Sequence, residues 1–106
     1  MNRGDVYWIN FDPSVGSEIQ KKRPAVIVSN NDSNKYISRV QVIPLTSNVN
    51  RVYPCEALVL IRGKQGKVMA DQLTTVDKSR VGDFIGTLHT EDMKKITKII
   101  KLQLAL

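Results

Sequence analysis

The segment Pro24-Ala25-Val26-Ile27-Val28-Ser29 predicts a short β-strand, because β-branched side chains dominate it and a polar turn cluster, residues 30–34, follows directly. A first strand is predicted at residues 6–11, which are rich in aromatic and β-branched side chains and end at Asp12-Pro13-Ser14. Residues 12–23 between the two strands form a polar loop. The chain therefore begins as two strands joined by a polar connection.

Three more strands are predicted in the middle of the chain. Residues 39–46 form the third strand, and Pro44 within it indicates an edge strand or a bulge, because proline cannot donate a hydrogen bond to a neighbouring strand. Residues 55–61 and 67–73 form the fourth and fifth strands. They are joined through residues 62–66, whose two glycines supply the positive φ angles that a hairpin needs.

The C-terminal part of the chain changes from strand to helix. Residues 74–76 continue or restart the last strand, residues 77–81 form a short helical turn, and residues 84–88 are extended. Apolar side chains then recur at helical spacing over residues 93–104, and Thr90 can cap that helix. The prediction is a mainly β fold with one C-terminal helix, in which the helix packs across a strongly bent antiparallel sheet or partial barrel.

Length and composition fit one folded domain. The 106 residues, 42% hydrophobic and 25% charged, predict a single domain over residues 1–106. The longest apolar run, residues 57–61, is far shorter than the ~20 residues that a membrane helix needs, and the N-terminal residues show no signal-peptide pattern. We therefore expect a cytoplasmic protein that does not associate with membranes.

Single cysteine and histidine residues limit the available chemistry. Cys55 is the only cysteine, which excludes an intrachain disulfide framework. Because His89 is the only histidine, one subunit cannot supply two imidazoles as an acid and a base, and no Cys/His cluster has the spacing of zinc ligands. We expect no metal ion and no cofactor.

The net charge of +6 is concentrated in residues 1–70, which hold 10 of the 16 basic residues but only 5 of the 10 acidic ones. Such a charge favours a nucleic acid or an acidic protein as partner. The first loop carries Lys21, Lys22 and Arg23 in a row, and Pro24 keeps Arg23 extended at the entrance of the second strand. A guanidinium held there can bind a phosphate through two hydrogen bonds, although a charge run in a loop is also typical of a solvated surface.

Polar and aromatic side chains elsewhere leave alternatives open. Thr46-Ser47-Asn48 end the third strand, where their hydroxyl and amide groups either form a local turn or contact a ligand. Asp71-Gln72 lie in the apolar fifth strand and either face solvent or line a cleft. We expect Trp8 and Phe11 to pack in the core, whereas Tyr36 lies among polar neighbours and is also suited to stacking on a base.

Several blocks, taken in order, resemble one protein family. They are Arg3-Gly4-Asp5-Val6-Tyr7-Trp8, Asp12-Pro13-Ser14-Val15-Gly16-Ser17-Glu18, Arg23-Pro24-Ala25-Val26-Ile27-Val28, Pro44-Leu45-Thr46-Ser47 and Val68-Met69-Ala70-Asp71-Gln72-Leu73-Thr74-Thr75-Val76-Asp77. Together they resemble the MazF/PemK (Kid) toxin endoribonucleases, and the final helix matches in kind, so the resemblance covers nearly the whole chain.

The resemblance implies an SH3-like, partly closed β-barrel that forms a homodimer. It implies metal-independent cleavage of single-stranded RNA, usually messenger RNA, at short sequences. It also implies a cognate antitoxin whose acidic flexible segment occupies the RNA groove. The positive charge suits both RNA and an acidic antitoxin and does not distinguish them.

Matching positions in these blocks imply Arg23 and Thr46 as the catalytic residues. The family's RNA groove falls on Ser17, Glu18, Ser47 and Gln72, and the charge run adds Lys21 and Lys22 as RNA-binding residues. Thr74 departs from the family, because several relatives carry a basic residue there, so a phosphate contact from that strand is in doubt.

The implied reaction is attack of the ribose 2′-hydroxyl on the neighbouring phosphate, which leaves a 2′,3′-cyclic phosphate and a free 5′-hydroxyl. Arg23 would neutralise charge on the phosphate and pass a proton to the 5′-oxygen, while Thr46 donates a hydrogen bond to a non-bridging oxygen. Arginine is a poor proton acceptor near neutral pH, which makes Glu18 the nearest candidate for the general base.

Two other functions fit the same barrel. One is a non-enzymatic inhibitor similar to the CcdB gyrase poisons, and the other is an RNA-binding barrel that does not cut RNA. The pairing of Arg23 with Thr46 favours the nuclease, because a gyrase poison has no need of those two residues.

Overall fold

The chain folds into seven strands and two helices, and the computed structural model describes every residue from Met1 to Leu106. The strands are β1 (Asp5–Asn10), β2 (Lys22–Ile27), β3 (Arg39–Thr46), β4 (Glu56–Ile61), β5 (Lys64–Met69), β6 (Thr74–Asp77) and β7 (Val81–Thr87). The helices are α1 (Asn31–Tyr36) and α2 (Thr90–Gln103). Two short 3₁₀ turns, Ala70–Gln72 and Lys78–Arg80, precede and follow β6.

All the strand pairs are antiparallel and belong to one curled sheet. Across it the strands run in the order β4, β5, β3, β2, β1, β7, and β6 pairs with β3 beside β5. The two end strands meet, since a Cβ atom added to Gly86 of β7 would lie 2.9 Å from Cδ1 of Ile61 in β4. Arg62 also donates a hydrogen bond to the Ile85 carbonyl, at 3.4 Å. The predicted partly closed barrel with a C-terminal helix is therefore confirmed.

The two middle strands, β2 and β3, are buried on both faces. Successive side chains of a strand point to opposite faces, so the side chains of β2 and β3 enter two different apolar clusters in turn. The first cluster lies between the sheet and α2 and includes Val26, Val28, Ile43, Leu45, Ile96 and Ile99. The second lies on the other face and consists of Ile9, Phe11, Ala25, Ile27, Val40, Val42 and Val76. Burial on both faces explains why these strands are almost continuous apolar runs in the sequence.

β3 is a central strand that pairs in regular register with β2 at Pro44, so neither alternative predicted from Pro44, an edge strand or a bulge, is correct. On one side β3 pairs with β2. On the other side it changes partner, from β6 at the Val42–Thr74 pair to β5 at the Leu45–Val68 pair. Pro44 lies in the gap between these two partners, where the missing N–H removes no hydrogen bond to either of them.

Three local features differ from the sequence predictions. Residues 31–36 form a helix rather than a turn, because Asn30 caps it by accepting a hydrogen bond from the Ser33 N–H (2.8 Å). The fifth strand ends at Met69, which leaves Asp71 and Gln72 in a 3₁₀ turn. The hairpin between β4 and β5 is tighter than predicted, and its two turn residues, Arg62 and Gly63, both have positive φ.

Trp8 lies at the surface, 45% exposed, and its predicted place in the core is wrong. It shares a face of β1 with Val6, but it lies beyond the residues that form the first cluster. Phe11 is buried in the second cluster, as predicted.

α2 covers the first cluster. Its N-cap residue is His89 and its first helical residue is Thr90, so the predicted Thr90 cap is wrong by one position. The buried Asp92 accepts a hydrogen bond from the Leu60 N–H (2.9 Å) and so ties the helix to β4. Neither helix combines the length and the apolar character that crossing a lipid bilayer requires.

Ile96 is the α2 residue on which we expect stability to depend most, because its side chain is fully buried in the first cluster. Replacing it with alanine leaves a cavity, and we expect Ile96→Ala to lower the free energy of unfolding by about 2–5 kcal/mol, measured by urea denaturation. Leu102→Ala on the same helix is the control, since Leu102 is 59% exposed. Equal losses in the two variants would contradict the packing described here.

We expect Asp77 to supply a pH-dependent contribution to stability. It accepts a hydrogen bond from the Ser79 N–H (2.8 Å), and the bonds from Ser79, followed by the charges of Arg39 and Arg80, lower the pKa of Asp77 below its ordinary 3.8. Because the folded state favours the carboxylate, this contribution is present above the ordinary pKa and is lost as the pH falls through the lower folded-state pKa.

We therefore expect Asp77→Ala to lower the Tm at neutral pH, and the difference from wild type to shrink toward a pH of about 2. Asp83→Ala, which removes an exposed carboxylate from β7, is the control. A difference in Tm that stayed constant down to the acidic end would show that the ionised carboxylate is not responsible.

Candidate active site

Neighbouring ends of β2 and β3 bring Arg23 and Thr46 together. The outermost pair between these strands is Ala25 with Pro44, and two residues further along each antiparallel strand are Arg23 and Thr46. Residues two apart share a face, so both side chains lie on the face of the second cluster, at its open rim. Each residue is half-buried. The β2–β3 register thus places two residues that are far apart in the sequence at the same rim of the sheet.

Arg23 is held by the strand and by the preceding loop. Its backbone pairs with Ile9 of β1, and its Nε donates a hydrogen bond to the Gln20 carbonyl, at 3.3 Å. The two terminal guanidinium nitrogens have no protein partner. They therefore remain available for the two parallel hydrogen bonds with which arginine binds a phosphate.

Thr46 ends β3 with its hydroxyl oriented by the loop that follows. Its Oγ1 accepts a hydrogen bond from the Asn48 N–H, at 3.2 Å. Since a hydroxyl can accept and donate at once, its proton is available for another acceptor. Ser47 follows directly and is exposed beyond the strand end.

A cleft of about 460 Å³ lies between the β1–β2 loop and residues 71–76. Three of the predicted groove residues line it, namely Ser17, Glu18 and Gln72. Gln72 belongs to the 3₁₀ turn that connects β5 to β6. β3 pairs with both of these strands, first with β6 and then with β5. Neither Arg23 nor Thr46 lines this cleft, so the structure brings together three of the groove residues but not the groove and the predicted catalytic pair.

The two lysines of the charge run are separated by the fold. Lys21 lies in the loop with a positive φ of 65°. Lys22 begins β2 on the face opposite to Arg23, because the two are adjacent in the strand. There it lines a second cleft of about 440 Å³, together with Trp8 and Arg80. Consecutive cations in the sequence thus do not form one patch.

Hydrogen bonds fix the loop between β1 and β2. Gln72 Oε1 accepts from the Ile19 N–H at 3.2 Å, and Asp12 Oδ1 accepts from the Lys21 N–H at 2.9 Å. Within the loop, Glu18 Oε1 accepts from the Val15 N–H at 2.7 Å. Two of the predicted groove residues, Gln72 and Glu18, therefore also shape the wall of the cleft.

Arg80 is a residue of the site region that the sequence analysis missed. It lines both clefts, and its Nη1 donates hydrogen bonds to the carbonyl oxygens of Asn10 (3.1 Å) and Asp12. Thr74, whose lack of a basic side chain put a phosphate contact in doubt, lines the first cleft as well. No local pattern around residue 80 marks its role, because only the fold brings it back to β1.

Tyr36 lies at the opposite end of β3 from this site. It closes α1 shortly before β3 begins at Arg39, and it is exposed.

The site itself presents hydroxyl, amide, carboxylate and guanidinium groups, which are suited to RNA phosphates and base edges. No three His, Cys, Asp or Glu side chains lie together in an arrangement that would hold a metal ion.

The bond from Ile19 to Gln72 gives a direct test of how the loop is held. We expect Gln72→Ala to speed amide hydrogen exchange at Ile19 by up to about tenfold, since one net hydrogen bond contributes about 0.5–1.5 kcal/mol. Global stability should change little. Gln65→Ala, in the exposed part of the β4–β5 hairpin, is the matched control and should leave Ile19 unchanged. Unaltered exchange in Gln72→Ala would mean that other contacts fix the loop.

Comparison with known proteins places the whole chain in one family. The family described as "PemK-like, MazF-like toxin of type II toxin-antitoxin system" matches residues 2–104. "Endoribonuclease MazF9" of Mycobacterium tuberculosis is 33% identical over 115 residues, which cover 100% of this chain and 98% of that protein. "Endoribonuclease MazF" of Staphylococcus saprophyticus is 32% identical over 111 residues, covering 100% and 92%.

Solved structures agree in fold. MazF from Deinococcus radiodurans superposes with a TM-score of 0.89 at 26% identity, covering 100% of this chain and 97% of the other. An endoribonuclease from a Mycobacterial species, solved in complex with its cognate antitoxin, gives a TM-score of 0.84 at 28% identity and covers 100% and 96%. On the family match and the two curated relatives, the chain belongs to the PemK-like, MazF-like toxins of type II toxin-antitoxin systems.

Proposed function

We propose that this chain is an endoribonuclease that cuts single-stranded messenger RNA at short specific sequences, needs no metal ion, and thereby inhibits translation in the cytoplasm. The observation that carries the proposal is the β2–β3 register, which sets Arg23 and Thr46 at one rim of the sheet. The curated relatives, both named endoribonucleases, support the activity. We also propose that residues 1–106 act as one toxin domain.

The reaction uses the nucleophile that RNA itself carries. The ribose 2′-oxygen attacks the adjacent phosphorus, and the bond from phosphorus to the 5′-oxygen breaks. The 2′-hydroxyl gives its proton to a base, and the departing 5′-oxygen receives one from an acid. The products are a 2′,3′-cyclic phosphate and a 5′-hydroxyl.

Arg23 and Thr46 stabilise the charge that builds on the phosphate. The free terminal nitrogens of Arg23 face the non-bridging oxygens, and one of them passes a proton to the 5′-oxygen. Thr46 donates its hydroxyl proton to a non-bridging oxygen, while the Asn48 N–H holds Oγ1 in place. Donors fixed before the reaction need no rearrangement during it, which makes them effective.

Glu18 is our candidate for the general base. It lines the cleft, and the Val15 N–H binds only its Oε1, which leaves Oε2 free to accept the 2′-proton. Single-turnover rates of Glu18→Gln across pH test this assignment. A rate and a pH profile identical to those of wild type would remove Glu18 from the role of base.

The remaining predicted residues bind RNA rather than react. Ser17 and Gln72 line the cleft and offer hydrogen bonds to bases or phosphates. Ser47 extends this surface beyond Thr46, and Lys21 adds a mobile positive charge. Lys22 lies on the opposite face, so we assign it to a stretch of RNA that leaves the groove.

We further infer a homodimer and an acidic cognate antitoxin. A chain of this size offers little continuous surface to several nucleotides, and a second copy would double the positive groove. Exposed apolar side chains such as Trp8, Leu60 and Phe84 provide surface that a partner can bury. The related endoribonuclease solved with its cognate antitoxin supports the second partner. Sedimentation at micromolar concentration tests the dimer, and a fully active monomer would refute it.

The deciding experiment incubates the protein in EDTA with a long single-stranded RNA and maps the new ends. We expect discrete cuts with cyclic phosphate and 5′-hydroxyl ends. Arg23→Ala should cut about 10²- to 10³-fold more slowly, because it removes one preorganised donor. Arg39→Ala is the matched control, since Arg39 is exposed at the opposite end of β3.

Other outcomes point to the two rival functions. RNA that is bound but stays intact would indicate a binding barrel without catalysis. RNA that is neither bound nor cut by folded dimer would favour an inhibitor similar to the CcdB gyrase poisons, and DNA gyrase would be the next target to test.

A further inference from the structure

The loop between β3 and β4, residues 47–55, carries an aromatic and cationic pair just beyond Thr46. Tyr53 is 52% exposed, and Arg51 Nη1 donates a hydrogen bond to its hydroxyl, at 3.2 Å. The Arg51 guanidinium carbon lies 5.9 Å from the centre of the Tyr53 ring. The two side chains therefore form one surface with a flat π face and a positive charge.

A buried ion pair underneath fixes the backbone of this loop. Lys67 Nζ lies 3.3 Å from Glu56 Oε1, and both side chains are only 9% exposed. Lys67 donates a hydrogen bond to the Arg51 carbonyl at 2.7 Å, and Glu56 accepts one from the Tyr53 N–H at 2.9 Å. The ion pair thus binds the backbone of both residues that form the exposed surface.

Burying these two charges is not explained by stability alone. Removing both charges from water is costly, and apolar residues of similar size often serve a core equally well. Here each charged group uses its remaining hydrogen-bonding capacity on the loop backbone. Fixing the conformation of the loop is therefore the effect that this pair has on the structure.

The sheet places this loop next to the proposed reaction centre. Lys67 is the β5 residue that pairs with Thr46, and directly paired residues of antiparallel strands point their side chains to the same face. The ammonium that holds Arg51 thus comes from the residue beside Thr46. The loop that carries Tyr53 is therefore anchored to the residue that pairs with Thr46.

We propose that Tyr53 and Arg51 form a subsite that binds one unpaired RNA base near the cut phosphate, with Lys67 and Glu56 as positioning residues. The inference rests on the proposed nuclease function. Tyr53 stacks on the base, which every base permits through its π face. Arg51 contributes a cation beside the ring and donors for a neighbouring phosphate or base edge.

Tyr36 provides a matched control. It is 77% exposed, and a cation, Lys35 Nζ, lies 5.4 Å from the centre of its ring. It precedes the start of β3, whereas Thr46 ends that strand, which is about 23 Å long. The two tyrosines therefore share their chemistry and differ in their distance from the site.

The experiment first maps the RNA sequence that the wild-type protein cuts. It then measures the Kd of an oligonucleotide of that sequence with a 2′-deoxy sugar at the cut position, which removes the nucleophile. We expect Tyr53→Ala to weaken binding by at least about fivefold, the lower end of the effect of removing one stacked base. Tyr53→Phe, which keeps the ring, and Tyr36→Ala should each remain within about twofold of wild type.

The positioning role is tested with the double variant Lys67→Met, Glu56→Gln, which removes both charges and leaves no buried ion unpaired. Measured well below its Tm, we expect it to raise KM by about as much as Tyr53→Ala does while kcat changes less. An unchanged KM in the folded double variant would overturn the positioning role. If wild type cuts RNA and Tyr53→Ala binds as tightly as wild type, the subsite is wrong; if wild type cuts no RNA, the proposed nuclease function itself fails.

Discussion

Burial of β2 and β3 on both faces is the constraint on which the rest of the molecule depends. Each strand sends alternate side chains into two different apolar clusters. A slip of one residue would exchange the two sets and would move Arg23 away from the face of Thr46. The same packing that excludes water from the core therefore sets the β2–β3 register, and the register sets the geometry of the proposed site.

Much of this fold follows from the sequence. Strong strand formers with turn residues on either side mark β1 to β5 well, and the spacing of apolar residues marks α2. The failures have physical reasons that lie outside local sequence. Pro44 is compatible with a central strand only because β3 changes partner there, and Trp8 is exposed because the first cluster ends before it.

The site was predictable in part. Arg23 and Thr46 lie at recognisable strand ends, and the β2–β3 register places both just beyond its last pair, while their catalytic roles and those of the groove residues stay predictions. Arg80 and Lys67 carry no local signal, because their importance comes from contacts with chain segments far away in the sequence. The run of adjacent cations was also misleading as a sign of one binding surface, since Lys22 and Arg23 point to opposite faces of one strand.

The placement of these groups on different kinds of structure has an evolutionary consequence. Arg23 and Thr46 stand on strands whose register the core enforces, whereas Ser17, Glu18 and Tyr53 stand on loops that contribute little to either cluster. Loops tolerate insertions and substitutions far better than packed strands do. If the proposed function holds, descendants of one ancestral barrel can therefore diverge in the RNA sequences they recognise while the proposed catalytic residues Arg23 and Thr46 are retained.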